Sequence, residues 1–203
     1  MSDGLDAIIR RRRMTRTFSG GPTTATIIEL CDLARRAPSA GFSQGAHFLV
    51  LDEVATFFEV SGAGEWFART SPGVLDCSHV VLVLGDPSAY TGRYSEPDKS
   101  EHGLGRADAW TTPFWLTDAA MAAQNLLLLA EDRGLGALLF GLFGDTRSCL
   151  DHFGVPDGVA AVGAIALGFR SPDDRPSGSP TRRSRRQRTD VVHVGRWGGP
   201  TQP

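Results

Sequence analysis

The chain has 203 residues, of which 41% are apolar and 22% are charged, and its formal net charge is -2. That length suffices for one domain with a sizeable core and is too short for two. The composition excludes a disordered or fibrous protein, and the net charge gives no general attraction for nucleic acid. We therefore predict a single domain over residues 1–203 without a nucleic-acid partner.

The sequence also predicts the compartment. Its longest apolar stretch, Ala119 to Ala130, is shorter than the roughly 20 residues that a membrane-spanning helix needs. The basic N-terminal run follows only a few apolar residues, which is not the order of a secretory signal. Cys31, Cys77 and Cys149 are odd in number and each lies in an apolar segment, as small buried thiols do. We expect a cytoplasmic protein without a membrane partner.

Two helices give the clearest local signals. Thr26 and Glu29 have the spacing of a capping box, so a helix is predicted to run to about Ala37, where Pro38 stops it. A second helix, apolar on almost every side, is predicted from Thr117 or Asp118 to Gly134. This second helix should be the central buried one.

Strands are predicted wherever short apolar runs are bounded by turn residues. These runs are His47–Asp52, His79–Gly85, Ala137–Phe143, Ala160–Phe169 and Asp190–Val194. Because helices and strands interleave without regular βαβ spacing, we expect an α+β sandwich around a mixed sheet.

Two stretches break the regular pattern. Residues 86–116 mix Gly, Pro, charges and aromatic residues, and we predict an irregular insertion there. Residues 171–203 carry Pro, Gly, Ser and Arg, and we predict a basic, flexible C-terminal arm.

Two glycine motifs invite an interpretation that their context disfavours. Gly134 and Gly136 resemble part of a dinucleotide fingerprint, but they close a helix and precede a strand, whereas that fingerprint follows a strand. Ser43 lies in a G-x-S-x-G sequence with His193 and Asp190 as conceivable partners, yet the order of elements is again reversed. A serine hydrolase is therefore a remote alternative. No histidine or cysteine spacing predicts a metal site.

The basic residues are concentrated in two runs, Arg10 to Arg13 and Arg182 to Arg188. The second run could be a nucleic-acid arm, but it contains no aromatic residues on which bases could stack. Neither run has an explanation from composition alone.

Four stretches resemble the nitroreductase family of flavoenzymes, in order and along nearly the whole chain. They are Arg12 to Phe18 (RRMTRTF), Ala37 to Val50 (APSAGFSQ, then HFLV), Leu75 to His79 (LDCSH), and the buried helix with Asn125-Leu-Leu-Leu followed by Gly134-Leu-Gly136 and a strand to Gly141. The resemblance implies a three-layer sandwich with a central mixed, mainly antiparallel sheet and a long buried helix. It also implies a homodimer that binds FMN at the subunit interface.

The resemblance further implies which residues bind FMN. Arginines of the first motif and of the C-terminal arm would reach the ribityl chain and the phosphate, the Pro38 segment would come from the partner subunit, and strand-end amides would face the ring near N5. The residues so assigned are Arg12, Arg13, Met14, Arg16, Pro38, Ser39, Ala40, Phe42, Gln44, Phe140, Gly141, Leu142, Arg183, Arg185 and Arg186.

This assignment gives both basic runs one explanation, because guanidinium groups far apart in sequence can share one phosphate. Arg10 and Arg188 are expected to be merely exposed. The chain departs from the family pattern at two places: Phe42 stands where the family commonly has Asn, and Gly45-Ala46 stand where it commonly has Pro-Trp.

The expected reaction moves hydride from NADH or NADPH through flavin N5 to a small nitroaromatic or quinone-like acceptor, with ping-pong kinetics. The flavin carries the difficult chemistry, so no catalytic side chain is assigned. Two alternatives remain open: a flavin-dependent dehydrogenase or oxidase in natural-product or cofactor metabolism, and a flavin-binding module without redox turnover.

Overall fold

A four-stranded antiparallel sheet with helices on both faces forms the frame of the molecule. The computed structural model describes residues 4–142 and 144–200. The strands lie in the order β1-β2-β4-β3. In chain order the elements are α1 (Leu5–Arg11), α2 (Thr24–Ala34), β1 (Ala46–Leu51), α3 (Val54–Val60), α4 (Ala63–Thr70), β2 (His79–Gly85), α5 (Pro87–Arg93), α6 (Phe114–Asp132), β3 (Leu135–Phe140), α7 (Thr146–His152), β4 (Ala160–Phe169) and α8 (Gly178–Arg182).

Both faces of the sheet are buried because side chains alternate along each strand. On β2, Val80, Leu82 and Leu84 join a core cluster with α3, α4 and α7. Val81 and Val83 point into the opposite cluster, with α2 and α6. The three-layer α+β sandwich is therefore confirmed.

Helix α6 is the buried central helix that the sequence predicts. It contacts all four strands and buries alanines and leucines along most of its length. It begins at Phe114, three residues before Thr117, and ends at Asp132, with Gly134 in the left-handed conformation at φ 71°. No helix in the described ranges is long and apolar enough to cross a membrane.

The bounds of the four strands agree closely with those predicted from the sequence, and one predicted strand does not form. The predictions for β2 and β4 are confirmed residue by residue, and β1 and β3 begin and end within three residues of their predicted bounds. Phe143, the predicted end of β3, lies outside the described residues. The predicted strand Asp190–Val194 is wrong: the segment begins in a 3-10 turn, Arg188–Asp190, because no neighbouring strand in the described part of the chain pairs with it.

The cap of α2 was also predicted one turn too late. The side chain of Thr23 accepts a hydrogen bond from the Thr26 backbone N–H, so the helix begins at Thr24. Thr23 lies three residues before Thr26, which repeats the capping geometry one turn upstream.

The 86–116 insertion is not irregular throughout. It contains α5 and two 3-10 turns, Ser100–His102 and Ala107–Ala109. Its aromatic rings pack edge to face into a small cluster of Tyr90, Tyr94, Trp110, Phe114 and Trp115. This packing supplies the order that the local sequence pattern lacks.

Candidate functional site

The first arginine run enters a loop, Arg12 to Thr17, which we call the arginine loop. Its Thr15 is buried and donates its N–H to the Ala137 carbonyl of β3 at 2.9 Å. The Met14 sulfur accepts the N–H of Leu139 at 3.5 Å, so Met14 also ties the loop to β3. The loop therefore lies against the strand that leads to the predicted flavin-ring contacts.

Three arginines in and around this loop are held by two buried carboxylates. Arg11 and Arg170 each donate a guanidinium N–H to the Glu131 carboxylate, with N–O distances of 3.1 and 2.9 Å. Arg13 forms an ion pair with Asp174, whose side chain is fully buried. The sequence assigned Arg13 to phosphate binding; in the structure, two of its guanidinium nitrogens donate to Asp174, and a phosphate contact stays a prediction.

Arg12 and Arg16 are different. Among the residues that the structure describes, no carboxylate pairs with either guanidinium. One terminal nitrogen of Arg12 is buried without any hydrogen-bond partner. A buried, unpartnered cationic nitrogen is costly unless a ligand completes its hydrogen bonds, so this pair of arginines is suited to an anion.

A cavity of about 470 Å³ lies beside Arg16. One wall is the end of β3, with Leu138, Leu139, Phe140 and Gly141. Within the described chain, the N–H groups of Gly141 and Leu142 form no hydrogen bond. The cavity thus joins two predicted sets of site residues, one from the arginine loop and one from β3, around free backbone donors.

The opposite wall comes from α4, which the sequence analysis missed. Gly62, Ala63, Trp66 and Phe67 line the cavity there. The Trp66 ring is 51% exposed and packs edge to face on Phe67 at 4.9 Å. Aromatic residues beside the charged pair Glu65 and Arg69 indicate an amphipathic helix, and that signal could have been found in the sequence.

The loop from Pro38 to Gln44 lies apart from this cavity. Pro38, Ser39 and Gln44 line a separate cavity of about 80 Å³, which shares no lining residue with the first. The Ala40 N–H and the Tyr90 hydroxyl both donate to Asp118, at 2.9 and 2.8 Å. A single chain therefore does not bring these predicted flavin contacts to Arg16 and Gly141.

Phe42 is the most unusual residue of that loop. Its φ is 59°, in the left-handed region that a bulky residue rarely adopts, and its side chain is 75% exposed. The loop that carries it is held from α5, where Arg93 donates to the Gly41 carbonyl at 3.0 Å. The loop therefore holds Phe42 in a strained backbone conformation in which its aromatic ring is exposed.

The C-terminal arginines are not gathered at the cavity. Arg183 and Arg185 are exposed, and Arg186 donates to the Asp190 carbonyl at 2.9 Å. Their contact with a phosphate stays a prediction. Of the arm, residues 201–203 lie outside the described part.

Two alternative motifs have structural explanations instead. Ser43 donates its hydroxyl to the Ala40 carbonyl at 2.7 Å, and His193 packs against Trp197, so no Ser43–His193 pair forms. Gly136 leaves room for Thr15, because a Cβ at that glycine would lie 2.8 Å from the threonine methyl. The described residues contain no group of potential ligands that could hold a metal ion.

Two titratable groups that are buried outside the cavity, His79 and Tyr90, are held in their neutral forms. Burial lowers the pKa of His79 below 6.5, against an opposing effect of Asp52, and the ring bridges Ser78 and Thr24 at 2.9 and 3.1 Å. Burial and the hydrogen bond to Asp118 raise the pKa of Tyr90 well above its usual value. Neither group faces the cavity between β3 and α4, so we assign neither to chemistry.

The fold and the cavity together define a class: a small α+β protein with an arginine-rich loop next to an aromatic-walled cavity. The model of the Nitroreductase family matches residues 9–169. The chain therefore belongs to the nitroreductase family, which confirms the resemblance seen in the sequence. Relatives are named as oxidoreductases, and one from Archaeoglobus fulgidus, named for NADH dehydrogenase or NAD(P)H nitroreductase, is 24% identical over 80% of this chain and 83% of its own length.

Solved structures support the same fold. The nitroreductase CinD of Lactococcus lactis, in complex with chloramphenicol, superposes with a TM-score of 0.71 at 15% identity, over 95% of this chain and 100% of its own. A putative nitroreductase of Exiguobacterium sibiricum in complex with FMN superposes with a TM-score of 0.66 at 19% identity, over 87% of this chain and 93% of its own. At these identities the likeness concerns the fold alone.

Proposed function

We propose that this protein is an FMN-dependent oxidoreductase that passes hydride equivalents from NADH or NADPH to a small aromatic or quinone-like acceptor. The observation that carries the proposal is a cavity lined by Arg16, with which no carboxylate in the described chain pairs, and by Gly141, whose N–H is free. The buried, unpartnered nitrogen of Arg12 belongs to the same loop as Arg16. Family membership and the names of the relatives agree with it.

The residues present fit this cofactor chemically. The buried nitrogen of Arg12 and the guanidinium of Arg16 would bind the phosphate and the polar chain, since guanidinium groups bind phosphate oxygens through charge-assisted hydrogen bonds. The apolar walls from α4 and β3 would cover a flat ring and exclude water from it. When bound, FMN supplies the hydride-accepting and hydride-donating centre that no side chain here provides.

The chain's own groups would tune and orient that centre. Backbone N–H groups at Gly141 and Leu142 need a hydrogen-bond acceptor, and a polar ring edge offers one. Positive charge at Arg16 would stabilise negative charge that develops on the ring system. Neither role requires a proton to move from a side chain.

A second copy of the chain would complete the site. The loop with Pro38, Ala40 and the exposed Phe42 lies away from the cavity of its own chain, so a partner subunit would have to bring it there. A groove of about 460 Å³ between α1, α2 and α6, lined by residues such as Leu5, Ile8 and Leu33, offers the apolar surface for such a dimer.

The test is to purify the protein, record its visible spectrum and identify what acid precipitation releases. We expect a flavin spectrum and FMN in the supernatant, and anaerobic bleaching by NADH or NADPH followed by reoxidation with a nitroarene or quinone. An enzyme that binds FMN but stays oxidised with both donors would instead be a flavin-binding module. Reduction by an organic substrate, and not by nicotinamide, would indicate a dehydrogenase or oxidase.

The variant that tests the proposed phosphate site is Arg16→Ala. Its control is Arg10→Ala, which removes an exposed basic residue. Loss of one charge-assisted partner of a desolvated phosphate costs on the order of 2 kcal/mol, or roughly thirtyfold in Kd. Flavin fluorescence titration measures this change. Equal affinity in the parent and in Arg16→Ala would refute the proposed site.

A further inference from the structure

We propose that Asp174 is a positioning residue for the cofactor phosphate: it fixes the backbone of the arginine loop and binds Arg13, so that of the three arginines in this loop Arg12 and Arg16 are offered to the ligand. This inference rests on the proposed function and deepens it. Asp174 lies beyond residues 9–169, the part of the chain that matches the family model.

The Asp174 carboxylate is fully buried and accepts hydrogen bonds from three residues of the loop. Its Oδ1 accepts the N–H of Arg16 at 2.8 Å and the N–H of Thr17 at 2.9 Å. Its Oδ2 pairs with the Arg13 guanidinium, which also donates to the Asp174 carbonyl at 3.3 Å. A buried carboxylate with so many donors is held rigidly, since movement would leave charged and polar groups unpaired.

These bonds satisfy two backbone N–H groups of the loop for which the described chain offers no other acceptor. Thr15 is tied to β3 through Ala137, and the Phe18 N–H donates to the Gly73 carbonyl at 3.0 Å. Between these two anchors, the N–H groups of Arg16 and Thr17 both depend on Asp174. The direction in which the Arg16 side chain leaves the backbone is therefore set from the C-terminal segment.

The segment reaches this place through a short turn after β4. The Ser171 N–H donates to the Thr17 carbonyl at 3.0 Å, and the Asp174 N–H donates to the Ser171 carbonyl at 3.0 Å. This turn aligns the Asp174 carboxylate with the N–H groups of Arg16 and Thr17. The hydrogen bonds of the turn therefore fix the position of Asp174 against the arginine loop.

The same contact sets the charge of the site. Arg11 and Arg170 both pair with Glu131, and Arg13 pairs with Asp174, whereas no carboxylate in the described chain pairs with Arg12 or Arg16. A phosphate monoester carries up to two negative charges near neutral pH, which the two guanidinium groups can match. The geometry thus favours a terminal monoester phosphate over an internal diester.

The experiment separates the hydrogen-bond role from the charge role with two double variants. Arg13→Met with Asp174→Asn removes the ion pair and keeps an oxygen that can accept both N–H groups. Arg13→Met with Asp174→Ala removes the ion pair and that acceptor. We expect the FMN Kd to stay within about threefold of the parent in the first and to rise by about tenfold or more in the second.

A merely structural role would lower the thermal midpoint of both double variants and leave their FMN Kd values equal. The coupling to Arg16 is a second readout. Arg16→Ala should cost roughly thirtyfold in Kd in the parent and less than about threefold beside Arg13→Met and Asp174→Ala. The inference is overturned if Arg16→Ala still raises the FMN Kd about thirtyfold beside Arg13→Met and Asp174→Ala, or if the two double variants have equal Kd values.

Asp174→Glu is the fallback if the alanine double variant does not fold, because it keeps the charge and moves the carboxylate by one methylene group. We expect its Kd to rise by several-fold, and a parent-like Kd would contradict the positioning role. Failure of the proposed function looks different: the parent would not bind FMN, or Arg16→Ala would cost nothing in the parent.

Discussion

At the scale of single residues, two arginines of the arginine loop have different roles. Arg13 belongs to the fold and Arg16 to the cavity, although they are three residues apart. The difference is the presence of a buried carboxylate, which sequence spacing alone does not reveal. We therefore expect their alanine variants to fail in different assays.

Arg13→Ala should lower the free energy of unfolding by about 3 kcal/mol, since it leaves the buried Asp174 carboxylate without its cation. Most of the FMN affinity should remain, because the loop N–H groups keep their acceptor. Arg16→Ala should show the reverse, with lost affinity and nearly unchanged stability. Urea denaturation and flavin titration of both variants measure the two effects, and a pair that loses affinity equally would contradict this division.

Phe42 gives the second prediction at this scale. Asn tolerates positive φ better than Phe does, and the Phe42 ring is not packed in the core of its own chain. Phe42→Asn should therefore leave the thermal midpoint of unfolding unchanged or slightly raised. If the ring reaches the site of a partner subunit, kcat/KM for flat aromatic acceptors should fall relative to small polar ones.

The control for this variant is Phe42→Ala, which removes the ring without relieving the backbone strain as well as Asn does. Both variants should change the ranking of acceptors in the same direction. A midpoint that falls by many degrees, with the ranking intact, would show instead that Phe42 only fills an interface.

At the scale of elements, His79 joins the start of β2 to the N-terminus of α2. Its neutral ring bridges Ser78 and Thr24, and burial lowers its pKa below 6.5. The unfolded chain therefore takes up a proton at higher pH than the folded protein does. Stability should be fully present above about pH 6.5 and decline as the pH falls from there toward the folded pKa.

Thermal midpoints measured between about pH 7.5 and 5 test this expectation. His79→Gln should flatten the decline, because it removes the titrating ring, whereas His152→Gln at an exposed position should leave it as in the parent. An equally steep decline in His79→Gln would assign the pH dependence to other groups.

Elements that are buried on both faces were the easiest to predict. β2 and β4 are continuous apolar runs, and their bounds follow from the sequence because burial alone defines them. Helices α3 and α4 were missed, although α4 forms one wall of the cavity, since short amphipathic helices give weak periodic signals. Asp174 was missed because a partner 158 residues from Arg16 leaves no local pattern.

At the scale of the whole molecule, the apolar groove of α1, α2 and α6 predicts a dimer. On these three helices Leu5, Ile9, Ile28, Leu33 and Met121 are each at least 40% exposed, which is costly for a monomer in water. Light scattering with flavin bound should give twice the 21.8 kDa mass of one chain.

Leu33→Glu should shift this equilibrium toward monomer by burying a charge in the interface, and Glu101→Lys, on a turn of the insertion, should not. If the parent itself is a monomer at micromolar concentration, neither the dimer nor the shared site stands. FMN affinity measured across protein concentration then shows whether one chain suffices.

The three thiols are divided between the two core clusters, one on each side of the sheet, and this allows them to report local opening of the fold. Cys31 belongs to the cluster of α2 and α6, whereas Cys77 and Cys149 belong to the cluster of α3, α4 and α7. Burial raises the pKa of Cys31 and of Cys77 to about 12, which leaves roughly one thiol in 10⁵ ionised at pH 7. A thiol-specific reagent can therefore modify them only when a layer lifts from the sheet, and the modified positions, read by mass spectrometry, would time the opening of each layer separately.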